Sequence, residues 1–180
     1  MSALESVIAA GWLVFWAYWL IAALGAKHSS HRRRRLPAGV RIVVLAFIVT
    51  RVIRGDALNV HSVVLQVVGT IVFVSGLALA VWARIYLGRN WGMPMTEKDE
   101  PELVTRGPYR FVRHPIYSGI LMGLLGTALA TNLYWLAALA VAGAYFIYSA
   151  RVEERIMAGA FPNTYPGYKA RTKMLIPFVL

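Results

Sequence analysis

The chain has 180 residues, 58% of them hydrophobic, carries a formal net charge of +11 and contains no cysteine. Soluble domains hold roughly 45–50% apolar residues, so an excess gathered into long runs reads as a membrane protein. The basic residues lie between those runs, which argues against a nucleic-acid module with one basic face. The missing cysteines exclude disulfides, thiolate metal sites and a cysteine nucleophile.

Five apolar segments follow one another. The first, about Leu4 to Ala26, is rich in Trp and Tyr; no Lys or Arg precedes it, and it outruns the core of a cleaved signal, so it is expected to persist as a helix. The second runs from about Val40 to Ile53, the third from about Ala57 to Leu87, the fourth from about Ile116 to Ala130 and the fifth from about Leu133 to Ala150. A spanning helix needs about 20 residues. The first and third segments meet that length, whereas the second and fourth are short, and either snorkelling flanks such as Arg41, Arg51 and Arg54 complete them or they form a tight hairpin that does not cross symmetrically. Thr131-Asn132 is a minimal turn, so the fourth and fifth segments should be antiparallel neighbours.

Charge gives the topology. With five spans, 17 of the 19 basic residues fall on one side of the membrane, and only Arg51 and Arg54 fall on the other. The rich side faces the cytoplasm by the positive-inside rule. The expected fold class is therefore all-α: a polytopic transmembrane helix bundle of about five spans, N-terminus outside and C-terminus cytoplasmic. One domain covers residues 1–180, with three spans in 1–87 and the polar site, a helical hairpin and the tail in 88–180. His31-Arg32-Arg33-Arg34-Arg35 reads as a topology determinant that meets anionic lipid.

Two strings carry chemistry. LVTRGPYRFVRHPIYSG, Leu103 to Gly119, leads straight into an apolar helix. Pro115 suits the first turn, where its missing N–H costs nothing. His114 then lies near the helix N-terminus, where free N–H groups favour an anion such as an amino-acid carboxylate. An interfacial loop anchored by Arg and Tyr would have no need of a His-Pro at a helix start. In the tail, Glu153 and Glu154 follow the fifth segment, between Arg151 and Arg155. A solvated helix end is the plain reading, but there are only eight acids, and two sit at the membrane edge, where a carboxylate is costly and a functional candidate by default. Such a carboxylate can bind a ribose hydroxyl pair or face a sulfonium cation. Trp91, Met93 and Met95 in GRNWGMPM are either acceptor-pocket lining or interfacial filler.

The two strings together, RHPIYSG after LVTRGPY and then EE followed by FPNTYPGY and Pro177, resemble the isoprenylcysteine carboxyl methyltransferase family. Phospholipid N-methyltransferases and related bacterial membrane methyltransferases share the signature. The resemblance covers roughly Leu103 to Pro177. It implies S-adenosylmethionine as methyl donor, held at the cytoplasmic face by the Arg113–Gly119 string and the Glu pair. It implicates Leu103 and Val104, partly through backbone, together with Tyr109, Arg113, His114, Pro115, Ile116, Tyr117, Gly119, Glu153 and Glu154. In eukaryotic members an arginine just before the acid pair contacts the acceptor; Arg151 is the nearest equivalent, at a shorter spacing. The implied acceptor is a lipophilic or prenylated small molecule entering from the bilayer, with membrane lipids as the other partners and no nucleic acid.

A carboxylate acceptor is already ionised at neutral pH and needs only a cation to orient it, for which Arg151 or Arg89 can serve. A lipid amine or a thiol would need a base, His114 or Glu154. The rival readings are an NADPH-dependent sterol-type reductase, for which no Gly-rich dinucleotide loop is present, and a non-catalytic helical membrane protein.

Overall fold

The computed structural model describes residues 2–23, 58–88 and 102–176. They form α1 (Ala3–Ala23), α2 (Val63–Leu87), a 3-10 turn (Gly107–Arg110), α3 (Pro115–Ala130), α4 (Trp135–Ala160) and α5 (Tyr165–Arg171). Among the described residues there is no strand, only two isolated bridges, Asn59 with Asn132 and Val112 with Lys173. The protein is thus an all-α integral membrane protein. Three of the described helices, α1, α2 and α4, are long and apolar enough to cross a bilayer, and α3 is a shorter apolar helix. The second expected segment, Val40 to Ile53, lies outside the described residues, as do His31–Arg35 and the Arg89–Met95 stretch.

The tightest packing joins α2 to α3, which run antiparallel with their backbones in contact. A Cβ placed on Gly126 would lie 2.3 Å from Phe73 N, and one on Gly76 would lie 2.6 Å from Gly119 O and from Gly123 N. Small residues drive helix association in lipid because apolar side chains gain nothing by leaving equally apolar tails; close van der Waals approach is what remains. The α1 helix runs in the same direction as α2. At one end Ile8 packs with Phe73 and Ala130, midway Trp12 Nε1 donates to Thr127 Oγ1 at 3.1 Å, and at the other end Arg84 Nη2 donates to Ala22 O at 2.8 Å. Val7, Leu13, Val14, Leu20 and Ile21 of α1 are exposed with respect to the other described residues.

The boundaries moved where non-local partners intervene. The third segment was expected from Ala57, but α2 begins at Val63, because Ser62 caps it through Leu65 N and residues 58–60 are diverted to the α3–α4 turn. There Val60 N donates to Thr131 O at 3.0 Å, Leu133 N to Leu58 O at 2.9 Å, and Asn132 Nδ2 to Asn59 Oδ1 at 2.6 Å. The fifth segment was expected to end at Ala150, but α4 continues to Ala160 and stops only at Phe161, the residue before Pro162. The Glu pair therefore stands on the last turns of a long rigid helix instead of in a tail. All nine Lys and Arg of the described residues lie at the end where α2 finishes and α3 begins.

Gly76→Val should force α2 and α3 apart and lower stability by about 1–3 kcal/mol, the usual range for overpacking. Gly159→Ala, where an added Cβ meets nothing within 4 Å, should be neutral or stabilising. Thermal unfolding of the detergent-solubilised variants checks the pair.

Candidate functional site

The site is assembled at that basic end from three stretches of chain. Residues 109–119 supply the 3-10 turn and the start of α3; α4 supplies Phe146, Glu153 and Glu154; α5 and the following segment supply Tyr168, Lys169 and residues 172–175. Pro115 occupies the first turn of α3 as expected, and His114 is its N-cap residue without a side-chain capping bond. The His114 backbone N–H is not left for an anion: it donates to Met174 O at 3.0 Å, beside Arg113 N to Lys173 O at 2.8 Å. The segment after α5 thus lies along the Arg113–His114 stretch. Ser118 Oγ adds a bond to Leu175 O at 2.5 Å, and Tyr168 Oη one to Tyr109 O at 2.7 Å.

Glu153 and Glu154 are neighbours in sequence but point about 100° apart, as successive helical residues must. Glu153 turns toward the start of α3, where Tyr117 Oη donates to its Oε1 and His114 Nδ1 lies 3.5 Å from its Oε2. Glu154 turns toward the chain's last segment. It meets Arg113 Nε at 2.6 Å and Lys169 Nζ at 2.8 Å, and its side chain is 5% exposed against 26% for Glu153. Arg113 also donates to Thr172 O and to Lys169 O. His114, Tyr117 and Phe146 form a ring stack: the first two are 5.4 Å apart at 4° and the second two 4.4 Å apart at 8°. His114 Nε2 is buried, 3.7 Å from Glu154 Oε1, with no hydrogen-bond partner among the described residues.

Burial pushes the His114 imidazole toward the neutral form, but the Glu153 and Glu154 carboxylates together outweigh burial and raise its pKa above the ordinary histidine value. Burial likewise raises the phenols of Tyr109 and Tyr168, the latter to about 12, so both remain neutral.

The other expected residues distribute as follows. Leu103 and Val104 are half-buried in the stretch before the 3-10 turn, and Tyr109 is buried within that turn. Ile116 packs between the α1 aromatic cluster of Phe15 and Trp19 and the cluster around Tyr117. Gly119 faces α2, where a Cβ would lie 2.5 Å from Gly76 O. Arg151 is exposed and takes no part in the bonds around the Glu pair, and Arg89 lies outside the described residues. Sequence reasoning missed Lys169, Phe146 and Arg84. Phe146 carried a signal, standing seven residues before Glu153 and so on the same face of α4. Arg84 carried another, as a lone charge inside an apolar run; it is buried, with Nη1 to Gly88 O at 2.5 Å.

A helical membrane protein with a buried acid–base cluster at one end is the class that fold and site define. A phospholipid methyltransferase family model matches residues 64–164. The chain belongs to the phospholipid methyltransferase family. A cobalt-zinc-cadmium resistance protein of Cupriavidus metallidurans is 39% identical over 95 residues, 51% of this chain and 43% of that protein. Methanethiol S-methyltransferase 1 of Bradyrhizobium diazoefficiens is 37% identical over 82 residues, 46% of this chain and 28% of that one. Among solved structures, the eukaryotic intramembrane Ras methyltransferase, isoprenylcysteine carboxyl methyltransferase, matches with TM-score 0.60 and 27% identity, over 79% of this chain and 51% of that chain. The chain spans about half or less of the length of these proteins.

The raised His114 pKa has a direct consequence. The ion pairing of protonated His114 with the two carboxylates contributes stability fully below the ordinary histidine pKa and loses it as pH rises through the raised folded value. The His114 imidazole should titrate above the ordinary histidine value by NMR in detergent, and Glu153→Gln should lower that midpoint.

Proposed function

We propose that the chain is an integral membrane methyltransferase that takes its methyl group from S-adenosylmethionine and passes it to a lipophilic acceptor arriving from the bilayer. The observation that carries this reading is the meeting of Glu153, His114 and Tyr117 on a membrane-edge helix end in a member of the phospholipid methyltransferase family. Two relatives named as methyltransferases, one for methanethiol and one for isoprenylcysteine, support the same reaction class.

The residues present fit such a donor. His114 Nε2 is a buried polar atom without a hydrogen-bond partner among the described residues, and it can donate to the amino-acid carboxylate. The partly exposed Glu153 carboxylate can accept from ribose hydroxyls or face the sulfonium charge, held in place by Tyr117. Leu103, Val104, Tyr109, Pro115 and Ile116 complete the proposed donor surface, and Arg151 and Arg89 are the proposed cations for an anionic acceptor. The donor supplies a sulfonium methyl group already activated for in-line displacement. The protein's share is to align the acceptor and keep water out, and the apolar helix faces beside the site favour both. Arg113 and Glu154, proposed from sequence as donor contacts, are occupied by each other and by Lys169.

The crowding of Lys and Arg at the site's end supports a cytoplasmic site with the first residues of α1 on the opposite side, and the bacterial relatives favour a prokaryotic inner membrane. The preferred acceptor is a lipophilic carboxylate, which needs no base.

Glu153→Gln and His114→Ala should each raise the KM for S-adenosylmethionine by about tenfold or more, the effect of losing a hydrogen bond to a charged group. Tritiated donor assayed against lipid extract and prenylcysteine analogues measures this and identifies the acceptor. Wild-type KM in both variants contradicts the site assignment.

A further inference from the structure

The two adjacent carboxylates have different partners, and this difference has a consequence for the segment that follows α5. We propose that Glu154 is a positioning residue: it latches residues 168–175 onto the Arg113–His114 stretch, and the latched form is the one competent to bind the methyl donor. The second half of this statement rests on the donor reading above, whereas the latch itself does not.

Both oxygens of Glu154 are committed to cations, Oε1 to Arg113 Nε at 2.6 Å and Oε2 to Lys169 Nζ at 2.8 Å. A carboxylate so occupied, and 5% exposed, has little left to offer a ligand hydroxyl. Lys169 belongs to α5 and Arg113 to the stretch before α3, so this one side chain ties together α4, α5 and the start of α3. Arg113 passes the tie onward, donating to Thr172 O and Lys169 O through its guanidinium and to Lys173 O through its backbone N–H. The donors lie mainly on the α3 side and the acceptors on the last segment, with Glu154 supplying the negative charge that lets Arg113 and Lys169 approach each other.

The latch reaches the candidate site through His114. Its backbone N–H is bonded to Met174 O, which fixes the residue whose imidazole faces Glu153, and Ser118, one turn further, is bonded to Leu175 O. If residues 168–175 undock, those bonds go together, and with them the orientation of His114. Docking of this segment and readiness of the site are therefore one equilibrium. A ligand that binds only the docked form meets an affinity reduced by the docked fraction, and by linkage it drives docking in return. A weakened latch should then raise the donor KM and leave kcat almost unchanged, because saturating donor restores docking.

Limited trypsin digestion of the full chain in detergent reads the latch directly, through cleavage after Arg171 and Lys173. Thr172 and Leu175 are buried in the docked segment, so cleavage there requires undocking. Glu154→Gln should be cut about tenfold faster than wild type. Lys169→Gln should be cut faster by a smaller factor, and Lys169→Arg at the wild-type rate. Saturating S-adenosylmethionine should slow cleavage in wild type and in Glu154→Gln alike. The donor KM should rise only by the factor by which the docked fraction falls, a smaller factor than the cleavage rate while docking predominates, with kcat retained. Lys169 is 54% exposed, so Lys169→Gln tests the latch in a folded protein even if Glu154→Gln does not fold. Cleavage at the wild-type rate in both variants overturns the latch. A fall in kcat with unchanged donor KM also overturns it, because Glu154 would then belong to the chemistry. Faster cleavage in the variants with no effect of donor on wild type overturns the coupling and leaves the mechanical tie in place, and direct binding of labelled S-adenosylmethionine to wild type decides the donor reading separately.

Discussion

A carboxylate only 5% exposed is best neutralised where it stands, and Glu154 is neutralised by Arg113 and Lys169 drawn from two separate stretches of chain. Burying an ion pair is a poor way to gain net stability, since desolvation consumes most of the attraction; removing one partner nonetheless costs about 3–5 kcal/mol, because the other is left charged and buried. What such a pair specifies is arrangement. With Glu154 fixed on α4, Arg113 has one place to go, and His114 and Pro115 follow it into the start of α3. Glu153, the next residue round the helix, is thereby aimed at His114 and Tyr117.

The cluster needs a rigid support, and the glycine-lined contact of α2 with α3 provides it. Backbones that touch at Gly76, Gly119 and Gly126 allow no sliding, so the depth of α3, and with it the level of His114, is set against α2. At the far end the Asn59–Asn132 bridge fixes the turn into α4. The helix that carries the Glu pair is thus anchored at both ends, by amide hydrogen bonds at one and by the ion pairs at the other.

Much of this was legible in the residues. Pro115 announced the first turn of α3, and the string around it marked the site's loop. The distribution of Lys and Arg announced that the loop and the Glu pair share one end of the bundle. Other features depended on partners far away in sequence. Nothing near Ala57 says that residues 58–60 will be captured by Thr131 and Leu133, so the start of α2 read too early. The end of α4 read too early because the apolar run stops at Ala150, while the helix is carried on by good helix formers as far as Phe161-Pro162. The division of labour between Glu153 and Glu154 follows from helical geometry only once the position of Lys169 is known. Arg151, prominent in the string, is exposed and apart from that cluster, whereas Lys169, which sequence gave no reason to select, is central to it.

The ligand held at Glu153 and His114 decides what the protein does. Equilibrium binding of labelled S-adenosylmethionine to the purified protein in detergent, with S-adenosylhomocysteine and NADPH as competitors, measures it most directly. Saturable binding displaced by S-adenosylhomocysteine and indifferent to NADPH is the predicted result. No saturable binding to folded protein, or displacement by NADPH, would contradict it.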